Sequence, residues 1–426
     1  VEVFLHQKRQ LSLRAGTHRI KNGMKKKLRV GVLFGGRSGE HEVSLLSAAS
    51  VLKAIDRNRY EVVPIGITKQ GRWLVSGDAE RLLTGDFPDS GKLRAGDPQN
   101  TAPAALLAKG EGVIVPPMPG GALVPFEREA ASISPVHHAF QEDALQLDVV
   151  FPVLHGTFGE DGTIQGLFEL AGLAYVGSGV LGSATGMDKE VMKRLFLAAG
   201  LPITNHVTFL RREWEQSPKK IVTRLETALK YPLFVKPANL GSSVGISKAH
   251  DRKELGPAID LAASFDRKIV VEQAVGMRGN RAKMGKAREL EVAVLGNDEP
   301  MASVVGEIVP GKEFYDYEAK YLSEGSVPII PAKLTKKQSQ QVQAMALDAF
   351  RACDCAGLAR VDFLLEAGDQ GRLYLNEINT MPGFTSISMY PKLWEASGVK
   401  YRDLISRLIE LALERKREQE QISYSR

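Results

Sequence analysis

Along the chain, apolar runs of strand length alternate with amphipathic stretches and Gly-rich turns. The alternation becomes regular at Leu28: the run LRVGVLF, the turn GGRSGEHE, the helical pattern VSLLSAASVLKAI and a second run, YEVVPIGIT. A strand, a helix and a strand in that order predict a parallel sheet covered by helices. Residues 76–140 are rich in Gly, Pro and Ala with weak periodicity, and read as an insertion of long loops. The run LDVVFPVL then enters a second Gly-rich loop, HGTFGEDGTIQG, followed by the helix LFELAG. The stretch YVGSGVLGSATG, Tyr175 to Gly186, reads as a break between two patterned regions.

Beyond the break come the helix KEVMKRLFLAAG, the strand YPLFVKPA, the small-residue loop NLGSSVG and the strand KIVVEQAV. The basic, Gly-containing GMRGNRAKMGKA reads as an exposed loop. The last third alternates strands (LEVAVLG, ARVDFLLEA, RLYLNEI) with the helix KKQSQQVQAMALDAFRAC and ends in the amphipathic DLISRLIELALERKREQ. With 426 residues and roughly 100–200 residues per domain, the pattern divides into three α/β units in series, without a repeat.

Composition narrows the class. At 43% hydrophobic and 25% charged, the chain is globular rather than disordered or fibrous. No apolar run approaches the ~18 residues that a membrane span needs. Two cysteines, Cys353 and Cys355, exclude a disulfide scaffold and suggest a reducing compartment. Their spacing makes a poor zinc site, so they read as small core residues.

The net charge of +6 and pI near 9.1 point to a polyanion partner only until the charges are located. Residues 1–29 carry nine basic groups and one acid, Glu2, which leaves 47 Lys+Arg against 49 Asp+Glu in the rest. The basicity belongs to the leader, and the body, at −2, is close to neutral. Since Met24 directly precedes the first strand pattern, the leader reads as an extension outside the fold.

The strongest chemical signal is ARVDFLLEAGDQGRLYLNEINTMPGF, two alternating strands joined by a turn with Gly368, Asp369 and Gly371, hence an antiparallel hairpin. Glu377 and Asn379 stand two apart and share a face, and Asp362 sits on the partner strand. Two carboxylates and an amide oxygen on rigid strands suit Mg²⁺ with waters and phosphates. In VKPANLGSSVG, Lys236 ends an apolar strand and the loop can close its N–H groups over phosphate oxygens. Together these imply a nucleoside triphosphate. GEIVPGKE has the P-loop spacing, but Glu313 occupies the Ser/Thr position, which rejects it.

GVLFGGRSGEHEVS lacks the dinucleotide-binding glycine pattern, yet a Gly-rich turn before a helix offers N–H donors to a small anion. Glu42 there can pair with a substrate ammonium or merely favour the helix dipole. His155 ends an apolar strand, where parallel sheets place ligands. EFYDYEAKYLSEGS suits a lid with Lys320 and Tyr321 at its tip, or a plain surface loop.

From Leu28 to about Arg415 the chain resembles the D-alanine–D-alanine ligase family of the ATP-grasp superfamily. The resemblance rests on GGRSGEHEVS, HGTFGEDGTIQG, MDKEVMK, VKPANLGSSVG, VVEQAV, RELEVAVLG, YDYEAKY, ARVDFLL and NEINTMPGFTSIS, in that order. It implies an α/β fold, α+β in the ATP-grasp part, with three domains. These are an N-terminal parallel-sheet substrate domain at 28–177, a central subdomain at 178–272 and a C-terminal metal domain at 273–415. Residues 1–27 would be a disordered leader and 416–426 a tail.

The implied reaction joins two D-alanines with ATP, through an acyl phosphate and a tetrahedral intermediate, for peptidoglycan precursor synthesis in the bacterial cytoplasm. Two Mg²⁺, replaceable by Mn²⁺, would be held by Asp362, Glu377 and Asn379. Lys189 and Lys236 would contact the nucleotide phosphates, Glu272 and Val275 the adenine edge, and Glu289 the ribose. Glu42 would hold the first ammonium, linked to Ser242 and Tyr321 in a set that closes the lid. Arg360 and the Gly383 N–H would stabilise the oxyanion. Ser388, with Lys320 nearby, would receive the second carboxylate, and His155 would lie beside the first substrate.

An intact Tyr321 favours an amine acceptor over D-lactate. The alternative is an ATP-grasp ligase with another acceptor, D-serine or D-lactate. No nucleic acid or membrane partner is implied, and a homodimer is expected. The segment GMRGNRAKMGK is longer than the family's usual connector before RELEVAVLG.

Overall fold

A computed structural model describes residues 26–75, 106–107, 110–125, 145–241, 244–276, 286–309, 327–366 and 371–424. Its first sheet contains β1 (Leu28–Gly35), β2 (Tyr60–Ile67), β3 (Trp73–Val75), β4 (Glu111–Ile114), β5 (Ala122–Pro125), β6 (Leu145–Gln146), β7 (Val149–Val153) and β8 (Ala174–Tyr175). Helices α1 (His41–Ala54) and α2 (Thr163–Leu170) accompany it. The strand order is β6-β5-β4-β3-β2-β1-β7-β8.

Strands β2, β1, β7 and β8 pair in parallel, whereas β3 to β6 pair antiparallel. The sheet is therefore mixed, which corrects the expectation of a purely parallel one. Part of the stretch read as looped insertion supplies two of its strands, because GVI and ALV are apolar enough to extend an open edge. Strand β7 is buried along its whole length and β1 from Val30 onward. Continuous burial on both faces explains their unbroken apolar sequences.

The stretch read as a break holds a helix, α3 (Val180–Met187), and α4 (Lys189–Ala198) follows. Asp188 caps α4 by accepting from Glu190 N and Val191 N, both at 3.1 Å. A second sheet, ordered β11-β10-β12-β9, contains β9 (His206–Leu210), β10 (Leu233–Pro237), β11 (Ser247–Ala249) and β12 (Lys268–Gln273). It is antiparallel throughout and backed by α6 (Pro218–Ala228) and α7 (Arg252–Phe265), with the short α5 (Arg211–Gln216) beside β9.

The third sheet holds β13 (Arg288–Gly296), β14 (Met301–Ala302), β15 (Gly306–Val309), β16 (Val327–Ile329), β17 (Gly357–Leu365) and β18 (Leu373–Asn379). Helices α8 (Lys336–Ala352), α9 (Met389–Ala396) and α10 (Tyr401–Gln419) complete the described chain. The expected hairpin is present: β17 and β18 pair antiparallel, with Asp362 opposite Glu377 and Arg360 opposite Asn379.

Helix packing ties the first and third sheets together. Met192 and Phe196 of α4 lie in one core with Val292 of β13 and Val361 of β17. Leu404, Leu408 and Leu411 of α10 form one apolar stripe that joins Val30 and Val149 of the first sheet to Leu358 of the third. Each such leucine contributes roughly 1.5–3 kcal/mol on burial. Arg415 reinforces the seam by stacking its guanidinium 4.3 Å from the Tyr175 ring centre. Helix α10 thus continues past the expected domain end at residue 415. Among the described residues, no helix is long and apolar enough to cross a membrane.

Candidate active site

An open cleft lies between the second and third sheets, with Phe234, Lys236, Glu272 and Val275 on one side and Glu289, Arg360, Asp362 and Glu377 on the other; its space is about 900 Å³ when the solvent at its mouth is included. Adjacent antiparallel strands aim these side chains inward in register: Glu272 lies opposite Phe234, and Lys236 two residues along lies on the same face. Lys236 Nζ stands 3.0 Å from Glu272 Oε1, and Lys193 Nζ stands 3.3 Å from Oε2. Thr204 Oγ1 donates to Oε2 at 3.0 Å. Burial alone would raise the Glu272 pKa, but the two lysines hold it well below the usual carboxylate range.

Facing this cluster is the hairpin. Arg360 donates to Asp362 through Nε at 2.7 Å and Nη2 at 2.6 Å, and Asn379 Nδ2 donates to Asp362 Oδ2 at 3.0 Å. Arg360 Nε also stands 3.3 Å from Glu291 Oε2. Residues assigned separate tasks in the sequence, an oxyanion donor and a metal ligand, are thus a bidentate pair. Among the described residues, no group of three or more His, Cys, Asp or Glu is placed to hold a metal ion. The donor set of Asp362, Glu377 and the Asn379 amide oxygen nevertheless fits a hard cation that takes its remaining ligands from phosphates, as Mg²⁺ does.

A second cavity shares Ile246, Arg360 and Glu377 with the first. Its other walls include Glu40, His155, Glu160, Lys189, Asn379 and Gly383. Lys189 Nζ donates to the Leu240 carbonyl at 2.7 Å, which fixes it at the loop after β10. Gly156 N donates to Glu160 Oε1 at 2.6 Å. Gly156 has φ +77°, and a Cβ there would stand 2.6 Å from Glu40 Oε2, so both acids close over a position that only glycine fits. Burial, reinforced by the charge of Glu40, pushes the Glu160 carboxyl up to about 8.

His155 is buried with both ring nitrogens engaged, Nδ1 at 3.0 Å from the Met381 carbonyl and Nε2 at 3.0 Å from Ser47 Oγ. A carbonyl only accepts, so Nδ1–H donates, and the Ser47 hydroxyl then donates to Nε2. Ser47 Oγ in turn accepts from Phe384 N at 3.4 Å. Burial lowers the His155 pKa to about 4, which keeps the ring neutral. His155 lines the cavity as expected, but its polar atoms brace the 381–384 loop that carries Gly383.

One expected site residue is displaced. Glu42 lies in the first turn of α1, where its side chain is 46% exposed and paired with Lys69 at 2.5 Å. It does not line either cavity; Glu40, which precedes the helix, lines the second. At about 100° of helical turn per residue, acids two apart near a helix start cannot share a side. Glu40, Glu160, Ser47 and Lys193 were not singled out in the sequence. A signal existed for Glu40, since an acid just ahead of the first helical residue faces what the helix N-terminus faces.

Lys189, Lys236, Glu272, Val275, Glu289, Arg360, Asp362, Glu377, Asn379, Gly383 and His155 all line one cavity or the other. Ser388 does not: it caps α9, and its hydroxyl lies 2.8 Å from Thr385 Oγ1. Ser242, Lys320 and Tyr321 lie outside the described residues, as does most of GMRGNRAKMGK.

Two antiparallel sheets that close on a nucleotide-sized space, joined to a mixed α/β sheet, place the chain in the ATP-grasp class. Family models separate its lineage further: the D-ala D-ala ligase N-terminus model matches residues 29–178 and the C-terminus model residues 195–410. The chain belongs to the D-alanine–D-alanine ligase family.

It is 49% identical to the D-alanine–D-alanine ligase of Chloroherpeton thalassium, over 91% of this chain and 97% of that protein. The enzyme of that name from Natranaerobius thermophilus is also 49% identical, over 93% and 98%. Among solved structures, the VanG D-Ala:D-Ser ligase from Enterococcus faecalis superposes with TM-score 0.71 at 34% identity, over 91% of this chain and 100% of that one. The D-alanine–D-alanine ligase from Coxiella burnetii gives 0.71 at 32%, over 93% and 97%.

Proposed function

We propose that this chain joins two molecules of D-alanine at the expense of ATP, forming D-alanyl-D-alanine for peptidoglycan precursors. The observation that carries the reading is the meeting of the two cavities at Arg360 and Glu377. A triphosphate in the first would there present its terminal phosphate to a carboxylate in the second. The first D-alanine carboxylate attacks that phosphorus, giving an acyl phosphate and ADP. The amine of the second D-alanine then attacks the acyl carbon, loses a proton, and expels phosphate.

Glu40 takes the role expected of Glu42 and holds the first ammonium, with Ser242 and Tyr321 completing the set that closes the lid. Lys189 and Lys236 contact phosphates, while Glu272, Val275 and Glu289 bind adenine and ribose. Arg360 and the Gly383 N–H steady charge on the carbonyl oxygen in the tetrahedral intermediate. Lys320 and Ser388 receive the second carboxylate, Ser388 from the N-cap position of α9. Asp362, Glu377 and Asn379 would hold two Mg²⁺, or Mn²⁺ in their place, which would supply positive charge against the triphosphate. A bacterial cytoplasmic homodimer that binds neither nucleic acid nor membrane completes the proposal; two free, buried cysteines suit that compartment.

D-alanine rather than D-serine as acceptor is favoured by relatives named D-alanine–D-alanine ligase at 47–49% identity, against 34% for the D-Ala:D-Ser enzyme. The test is phosphate release from ATP and Mg²⁺ with D-alanine, with D-serine and D-lactate as competing acceptors. D-alanine-dependent release with dipeptide as the main product is expected. No release with D-alanine would sink the proposal.

A further inference from the structure

Lys193 is 1% exposed, yet no step above uses it. It stands one helical turn after Lys189 on α4, so both point to the same side, but their side chains end in different places. Lys189 reaches the second cavity wall. Lys193 stops behind Glu272, with Nζ 3.3 Å from Oε2 and 3.5 Å from the Asn376 carbonyl, and does not line the nucleotide cavity. Burying an ammonium costs several kcal/mol even when it is paired, and an apolar side chain would fill this space without that cost. Its full burial among polar partners calls for a task.

The task follows from the two sides of one carboxylate. Lys236 faces the cavity and holds Oε1; Lys193 and Thr204 hold Oε2 from behind. A buried carboxylate cannot give up its last cation without taking a proton. With Lys193 in place, Lys236 can leave Glu272 for a phosphate while Glu272 stays ionised and fixed. Without Lys193, Glu272 takes a proton once Lys236 turns to a phosphate, and a neutral carboxyl is a poorer acceptor for the base.

We propose that Lys193 is a positioning residue for the nucleotide, holding Glu272 ionised from behind as the acceptor for the exocyclic amine of the base while Lys236 turns to a phosphate. This rests on the reading of the first cavity as the ATP site. It makes Lys193 a determinant of base specificity although it touches no part of the substrate.

The test compares binding of ATP with that of purine riboside triphosphate, which lacks the exocyclic amine, by equilibrium dialysis, alongside KM for ATP and for D-alanine. Lys193→Met is expected to weaken ATP binding at least ~10-fold, the scale of one charge-assisted hydrogen bond. The purine analogue should be weakened much less, so preference for ATP falls toward unity, while KM for D-alanine stays within about twofold. Thr204→Val, which removes only the neutral donor, should keep most of the preference. If the Met variant does not fold by thermal melting, Lys193→Gln serves for the same comparison.

Equal weakening of both nucleotides, or unchanged ATP binding, overturns the proposal. Because dialysis needs no D-alanine, a protein that shows this pattern but releases no phosphate would sink the ligase reading and leave the role of Lys193 standing.

Discussion

The two cavities share Arg360 and Glu377 but are built in opposite ways. Antiparallel strands wall the nucleotide cavity, and a buried carboxylate there is flanked by two lysines. Loops and helix starts at the ends of parallel strands contribute much of the second cavity, including two acids, Glu40 and Glu160, at one glycine. Strands present their side chains with a period of two, so a pattern on paper becomes a direction in space. A loop has no such period, and its side chains point where the fold sends them. In the proposed function the first cavity takes the triphosphate and the second the D-alanine ammonium.

The largest expected effect falls where the cavities join. Glu377→Gln should leave the melting temperature nearly unchanged and cut turnover at least ~100-fold, because a cation ligand is lost. Normal turnover in that variant would remove Glu377 from the site and separate the two cavities functionally.

Next comes the loop-built acid. Glu40→Gln should raise KM for D-alanine by about 10–100-fold, the loss expected for a charge-assisted contact to an ammonium, with KM for ATP little changed. Glu42→Gln should alter either constant by no more than about twofold, since an exposed ion pair contributes little. The reverse ranking would restore Glu42 and break the contrast drawn between strand and loop.

The smallest effect is one of pH. The His155 pKa is depressed in the fold from 6.5 to about 4, so the unfolded chain binds the extra proton first. Its contribution to stability is fully present above pH 6.5 and is lost as the pH falls toward 4. Thermal melts over that window should show a shallower acid loss in His155→Gln than in the parent, although the variant starts lower. Parallel slopes would mean that the ring is not held neutral between Met381 and Ser47.

How much was legible follows the same division. Asp362, Glu377 and Asn379 were placed from alternation alone, and the hairpin carries them face to face. Lys236 was legible as the end of an apolar strand. Glu40 was not legible beside Glu42, since both acids stand at the same Gly-rich turn and only the helix start at His41 separates them. Residues 180–187 looked like a linker because glycines and small residues dilute their helical period, yet packing makes them a helix. The antiparallel edge of the first sheet was missed because strands of two to four residues carry too little pattern to rise above their loops.

The sequence by itself determined the α/β class, the order of the main elements, the strand-borne donors and the confinement of basic charge to the first 29 residues. Each of these depends on local period or on simple counting. Only the tertiary structure decided that Arg360 and Asp362 are one ion pair, that His155 spends both nitrogens on the protein, that Glu40 rather than Glu42 meets the cavity, and that Lys193 stands behind Glu272. Most of those facts join residues far apart in the chain or turn on where a helix starts, and the Arg360–Asp362 pair turns on how two side chains of one strand face are turned toward each other. They are set when sheets and helices pack, because burial forces each polar group to find a partner wherever the fold brings one.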